Sequence, residues 1–220
     1  MMNQTKIILF AKVPIPGQVK TRLAEVYGEH KACALAEALL LDSWEMLSRL
    51  SGADVVLATN GPLPTRLGIL PEAVWDQGKG DLGERLERMI QRALTDRPQV
   101  ICLGADSPAL PPDLLLQASD ALLAHDAVLG PAEDGGFYLL GLKKCATGLL
   151  GDLPWSTDHT FDKTHERLVE QNLSVALLPA FFDMDRPGDL ETLARFIDQA
   201  PEVAPRTRQW LQMHHRPLLS

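Results

Sequence analysis

The chain has 220 residues, 45% of them hydrophobic and 23% charged, and a formal net charge of -8. That length suits one large domain with a core of its own, so neither a metal nor a disulfide is needed for folding. The acidic balance excludes the extended positive face of a nucleic-acid binder, and the three cysteines, Cys33, Cys102 and Cys145, are too scattered for a disulfide framework or a zinc site.

These features predict a soluble, cytoplasmic protein. The first apolar run is too short to span a bilayer and lacks the small-residue cleavage site of a signal peptide, so no membrane partner is expected. No low-complexity linker divides the chain, and a single domain over 1–200 with a tail over 201–220 is the expected organisation.

In chain order, Ile7-Ile8-Leu9-Phe10-Ala11 reads as a strand that runs straight into Lys12-Val13-Pro14-Ile15-Pro16-Gly17-Gln18-Val19-Lys20-Thr21-Arg22-Leu23. The prolines and Gly17 predict a bent turn, and Lys12, Lys20 and Arg22 place cations around its mouth, as a phosphate-binding loop would. A solvated surface is the bland alternative.

Leu35, Leu39, Trp44, Leu47 and Leu50 have helical spacing, and Ala53 to Thr59 reads as the next strand, completing a βαβ unit. A short edge strand is expected at Val74-Trp75-Asp76. A helix then begins at Asp81, with Leu82, Leu86, Met89, Ile90 and Ala93 on one face. Val100-Ile101-Cys102-Leu103 is apolar throughout, as a central parallel strand is, and it ends at Gly104-Ala105-Asp106-Ser107-Pro108.

Pro111-Pro112 opens another helix, and strands at Ala127 to Gly130 and Gly136 to Gly141 flank Pro131-Ala132-Glu133-Asp134-Gly135. A helix near Phe161 to Gln171, a strand at Val175 to Leu178 and a helix at Asp189 to Ile197 complete the series. Such alternation predicts a three-layer α/β/α domain with a mostly parallel mixed sheet.

Ligands of such sheets bind at the carboxyl ends of the strands. Four loops therefore become candidates: the cationic loop, Asp106, Glu133-Asp134-Gly135-Gly136, and Asp183 with Asp185. Carboxylates there can hold a hard divalent cation that bridges phosphate oxygens, with Lys and Arg neutralising the remainder. Each feature also has a structural reading: Asp106 as a turn or cap, Asp134-Gly135-Gly136 as a hairpin turn, Asp185 as the start of a turn.

Phe10-Ala11-Lys12-Val13-Pro14 with Pro16-Gly17, Val19 to Leu23, Gly104 to Pro108, and Glu133 to Tyr138 resemble, in order, a bacterial family of GT-A-like nucleotide-diphospho-sugar transferases of the selenodomain-associated type. The plan is also similar to that of the 2-phospho-L-lactate and molybdenum-cofactor guanylyltransferases. The resemblance spans nearly the whole chain to about residue 197. It implies a GT-A-like fold and a nucleotide site formed by Phe10, Ala11, Lys12, Pro14, Gly17, Lys20 and Arg22.

By the same resemblance Asp106 and Asp185 bind Mg²⁺ or Mn²⁺, with Asp183 a nearby substitute, and Lys20, Arg22 and Asp106 are the catalytic set. Asp134, Gly135, Gly136 and Trp155 form the acceptor side, and Gly80-Asp81-Leu82-Gly83 matches a family motif. One departure is plain: glycosyltransferases of this fold carry an Asp-x-Asp pair where this chain has Asp106-Ser107-Pro108. Metal-dependent nucleotidyl transfer from a nucleoside triphosphate to a small acceptor is therefore expected. The alternatives are glycosyl transfer from a sugar nucleotide, with Asp134, Asp158 or Asp162 as base, and a non-catalytic nucleotide-binding module.

Overall fold

The computed structural model describes residues 2–182, 184–200 and 202–215. Seven strands form one sheet in the order β3-β2-β1-β4-β6-β5-β7. They are β1 (Thr5–Ala11), β2 (Asp54–Thr59), β3 (Val74–Asp76), β4 (Gln99–Gly104), β5 (Ala127–Pro131), β6 (Phe137–Leu142) and β7 (Val175–Leu177). β6 runs antiparallel to β4 and β5, and the other neighbouring pairs are parallel. The mixed, mostly parallel α/β sheet expected from the sequence is the one observed.

Each strand sends alternate side chains to opposite faces. Ile7, Leu9, Ile101 and Leu103 join Leu40 and Leu47 of α2 (Glu29–Ser48) and Leu115, Ala118 and Leu122 of α4 (Pro112–Ala124). Ile8, Val100 and Cys102 join Leu86, Met89 and Ile90 of α3 (Leu82–Leu94) and Leu168 of α5 (Thr160–Glu170) on the other side. The continuous apolar run of β4 is thus explained by burial on both faces.

A third apolar cluster stands outside α2. It draws Leu23 from α1 (Thr21–Tyr27), Leu35 and Leu39 from α2, Leu190 and Leu193 from α6 (Asp189–Gln199), and Trp210 and Leu211 from α7 (Pro205–His214). Two of these helices correct the sequence reading. Thr21, Arg22 and Leu23, expected as the rim of a loop, open α1. Residues 205–214, expected within a tail, form α7, whose Trp210 donates its indole N–H to Lys31 O at 2.9 Å. The buried Asp42 carboxylate accepts the Thr207 and Arg206 backbone N–H groups at 2.8 and 3.2 Å, satisfying donors at the start of that helix.

Among the described residues no helix is long and apolar enough to cross a membrane.

Candidate functional site

The parallel register puts the ends of β1 and β4 side by side, with Phe10 opposite Gly104 and Ala105 N–H donating to Phe10 O at 3.1 Å. The loops that follow these strands therefore share one edge. After β1 the chain bends through Gly17, at φ 76, a left-handed conformation that glycine adopts without strain. It then passes Lys20, which takes the same left-handed region at φ 47 and ψ 45 and whose carbonyl accepts the Leu23 and Ala24 N–H groups at the start of α1.

The Lys20 side chain is 5% exposed, and its Nζ stands 2.8 Å from Asp106 Oδ1 and 4.0 Å from Asp185 Oδ1. It also donates to the main-chain oxygen of Met184. Arg22 pairs with Asp185 Oδ2 from the exposed side. The two acidic loops are stitched to each other as well: Met184 N–H donates to Asp106 O at 3.2 Å, and Ser107 Oγ donates to Phe182 O at 3.3 Å. Asp189, in the first turn of α6, accepts from the Asp185 and Arg186 N–H groups at 2.9 and 2.6 Å and so holds the Asp185 turn.

Lys20, Asp106 and Asp185 border a cleft of about 340 Å³ with Phe10, Ala11 and Lys12. Pro14 is buried away from that wall, Gly17 is exposed beyond it, and Arg22 reaches it only through Asp185. A second cleft of about 350 Å³ opens on the other side of Asp185 and contains Glu133, Asp134, Arg186 and Asp189. Larger apolar cavities occur at Met46, Leu110 and Phe196 and at Leu63, Ile69 and Val74, but neither contains Lys20, Asp106 or Asp185.

The expected acceptor loop divides into parts. Asp134 is exposed in the second cleft, and its Oδ1 accepts the Gly136 N–H at 2.9 Å. Gly135, at φ 87, lies against the backbone of Asp158, where a Cβ would come within 2.1 Å of the carbonyl oxygen. Its own carbonyl accepts the Phe161 N–H at 2.9 Å, so it joins two segments of the fold. Trp155 is turned into the core, with its ring edge-on to Phe137 at 6.1 Å and its Nε1 over Gly83. The adjacent Ser156 lines the first cleft instead. Asp183 lies outside the described residues.

Gln77 and Arg85, which no local sequence pattern marks as site residues, line the same cleft as Lys20. Gln77, 3% exposed, donates from Nε2 to Ala58 O and Ala11 O at 2.8 and 3.2 Å, and its Oε1 accepts from Arg85 Nη1 at 3.0 Å. Arg85 Nε donates to Asp81 O at 3.0 Å. The sequence signal nearest to them is Asp81-Leu82-Gly83-Glu84, a capping box in which Asp81 and Glu84 satisfy each other's N–H groups at 2.9 Å. It fixes where α3 starts and hence where Arg85 points, which gives the Gly80 to Gly83 motif a physical role.

Asp106 Oδ1, Asp185 Oδ1 and Met184 O, three oxygens, converge on one ammonium. An all-oxygen set with two carboxylates suits Mg²⁺ or Mn²⁺, which leave their other positions to water and phosphate. Among the described residues no three His, Cys, Asp or Glu side chains gather as a metal cage. Two carboxylates and one carbonyl would leave the other positions of such a cation to water and phosphate.

Comparison with known proteins agrees with this architecture. A family profile described as "Uncharacterized protein conserved in bacteria (DUF2064)" matches residues 45–157. A crystal structure from Desulfovibrio desulfuricans G20, of a protein provisionally named a nucleotide-diphospho-sugar transferase, is 30% identical over 97% of this chain and 95% of that one, with a TM-score of 0.87. A cytidylyltransferase from Leptospira borgpetersenii serovar Hardjo-bovis shares the fold at 13% identity, 96% and 94% coverage and a TM-score of 0.55. So does 4-diphosphocytidyl-2C-methyl-D-erythritol synthase from Anaerococcus prevotii, at 11% identity, 94% and 96% coverage and a TM-score of 0.59. Among curated proteins no match is found.

Proposed function

The chain belongs to the bacterial DUF2064 family, and we propose that it is a nucleotide-dependent transferase that moves a nucleotidyl group from a nucleoside triphosphate to a small acceptor. The supporting observation is the junction of Lys20, Asp106 and Asp185 at the carboxyl ends of β1 and β4. Cations on one wall and a pair of carboxylates at its rim are what a polyphosphate with a bound divalent cation requires.

An acceptor oxygen attacks the α-phosphorus, the bond to the bridging oxygen breaks, and pyrophosphate leaves while the acceptor proton passes to solvent. Lys12, Lys20 and Arg22 neutralise the phosphate oxygens and the charge that grows on the leaving group. Arg85, held by Gln77 and Asp81, grips the nucleotide within the same cleft. Asp106 and Asp185 would hold Mg²⁺ or Mn²⁺, which supplies Lewis-acid stabilisation of phosphate charge. Asp134, in the neighbouring cleft, faces the acceptor. Positioning and electrostatics suffice, and no covalent enzyme intermediate is required. A cytoplasmic location fits the free thiols of Cys33, Cys102 and Cys145.

Glycosyl transfer from a nucleotide-diphospho-sugar is the second reading, supported by the name of the 30% identical relative. Against it stands the single Asp106 in place of an Asp-x-Asp pair.

A screen of nucleoside triphosphates and sugar nucleotides for Mg²⁺-dependent thermal stabilisation, followed by assay of released pyrophosphate, separates the two. Stabilisation by a triphosphate and acceptor-dependent pyrophosphate release are expected. Stabilisation by a sugar nucleotide alone, with release of nucleoside diphosphate, would overturn nucleotidyl transfer.

A further inference from the structure

Both carboxylates of the site are engaged by cations of the chain itself. Asp106 and Asp185 bring two negative charges, and Lys20 and Arg22 bring two positive charges within contact of them. Lys20 reaches the same three oxygens, Asp106 Oδ1, Asp185 Oδ1 and Met184 O, that would face a divalent cation. Its ammonium is enclosed, with a side chain 5% exposed, whereas the carboxylates are 43% and 45% exposed. The solvent-facing sides of the carboxylates are open, and the enclosed side belongs to the lysine.

Resting on the reading of Asp106 and Asp185 as cation ligands, we infer that Lys20 is an internal competitor of the divalent cation, which admits the metal only together with a polyphosphate. A divalent cation entering alone would add two positive charges beside carboxylates already paired with Lys20 and Arg22. A metal-polyphosphate complex carries net negative charge, and its oxygens offer the ammonium a new partner. Lys20 then exchanges carboxylate for phosphate, and the metal takes the vacated carboxylate oxygens.

The backbone allows this exchange without rearrangement. The left-handed conformation of Lys20 and the bonds from Leu23 and Ala24 to its carbonyl fix the Cα, so only the flexible stem has to swing. Metal and polyphosphate binding are thereby coupled, each favouring the other, as linkage requires. The site is protected from loading with free Mg²⁺ in a conformation that lacks substrate.

The test is a titration of nucleotide-free protein with MnCl₂, following free Mn²⁺ by electron paramagnetic resonance, in the wild type, Lys20→Met and the double variant Lys20→Met with Asp106→Asn. Removing the ammonium leaves two carboxylates facing each other, so Lys20→Met should bind Mn²⁺ about tenfold more tightly than the wild type or better. The double variant should lose the gain. Mg²⁺ should likewise raise the thermal midpoint of Lys20→Met more than that of the wild type.

Lys20→Gln repeats the comparison if the methionine variant does not fold. Equal Mn²⁺ affinity in the wild type and both Lys20 variants would overturn the inference, as would a gain that survives Asp106→Asn. A gain in Mn²⁺ affinity in a protein that binds no nucleotide would uphold the competition and overturn the transferase reading instead.

Discussion

Gln77 holds Arg85 across the loop between β3 and α3, its Oε1 accepting from Arg85 Nη1 at 3.0 Å while its Nε2 spans the carbonyls of Ala11 and Ala58. One buried carboxamide therefore joins β1, β2 and the start of α3 at the mouth of the cleft. Replacing it with leucine removes its bonds to two carbonyl oxygens and leaves Arg85 held only by Asp81 O. The expected loss is about 1–3 kcal/mol for each buried group left without a partner, measurable by urea unfolding. Nucleotide affinity should fall with it, and an unchanged unfolding midpoint would show that the carboxamide does not span the strands in solution.

Arg22 should separate stability from binding. Its side chain is 58% exposed and its pair with Asp185 is a surface ion pair, so Arg22→Ala should change stability by less than about 1 kcal/mol. If Arg22 contacts phosphate as proposed, the same substitution should weaken nucleotide binding about tenfold or more. Calorimetric titration at two salt concentrations checks this, since the wild-type affinity should fall with ionic strength more steeply than that of the variant.

Neighbouring glycines should respond unequally. Gly135→Ala places a methyl group within 2.1 Å of Asp158 O, at a backbone φ of 87. A loss of about 1–3 kcal/mol from the backbone conformation alone is expected, with the clash adding to it. At Gly136 the nearest atom is a flexible carboxylate oxygen of Asp134 at 3.1 Å, so Gly136→Ala should be milder. Thermal unfolding of the two variants decides, and equal losses would contradict the contact with Asp158.

Asp126 fastens β5 to β7. Its carboxylate accepts from Ser174 N–H at 3.0 Å and from Ser174 Oγ at 2.8 Å, and these bonds hold its pKa below the ordinary 3.8, at about 2. Since the folded state favours the ionised form, its contribution to stability is complete above about 3.8 and is lost as the pH falls through about 2. The carboxyl resonance of Asp126 followed by NMR should titrate near 2 and move toward 3.8 in Ser174→Ala. A wild-type midpoint near 3.8 would mean that the bonds to Ser174 are not kept in solution.

Trp210 should prove as structural as any residue of the sheet. It is 3% exposed, meets Tyr27 edge-on at 5.3 Å and bonds to Lys31 O. Trp210→Ala is expected to cost about 3–5 kcal/mol, read from denaturant unfolding, because α1 and α2 lose the surface that α7 covers. A cost near zero would return residues 205–214 to the status of a tail.

Sequence by itself determined the order and kind of most elements, because hydrophobic pattern is a local property: the apolar runs of β1 and β4 and the amphipathic face of α3 each declare their surroundings within a few residues. It also placed the cations before α1 and in its first turn, and the carboxylates after β4 and before α6. Only the tertiary structure decided which of these meet. Lys20 reaches both Asp106 and Asp185 because β1 lies beside β4 and because Met184 bonds to the Asp106 backbone, relations between distant segments that no local pattern encodes. By the same limit no local pattern reveals that Trp155 packs half-buried against the core, that residues 205–214 dock as α7, or that Gln77 and Arg85 line the cleft. A polar side chain becomes part of a site through its neighbours in space, and those are set by strand order and backbone hydrogen bonding across the sheet edge.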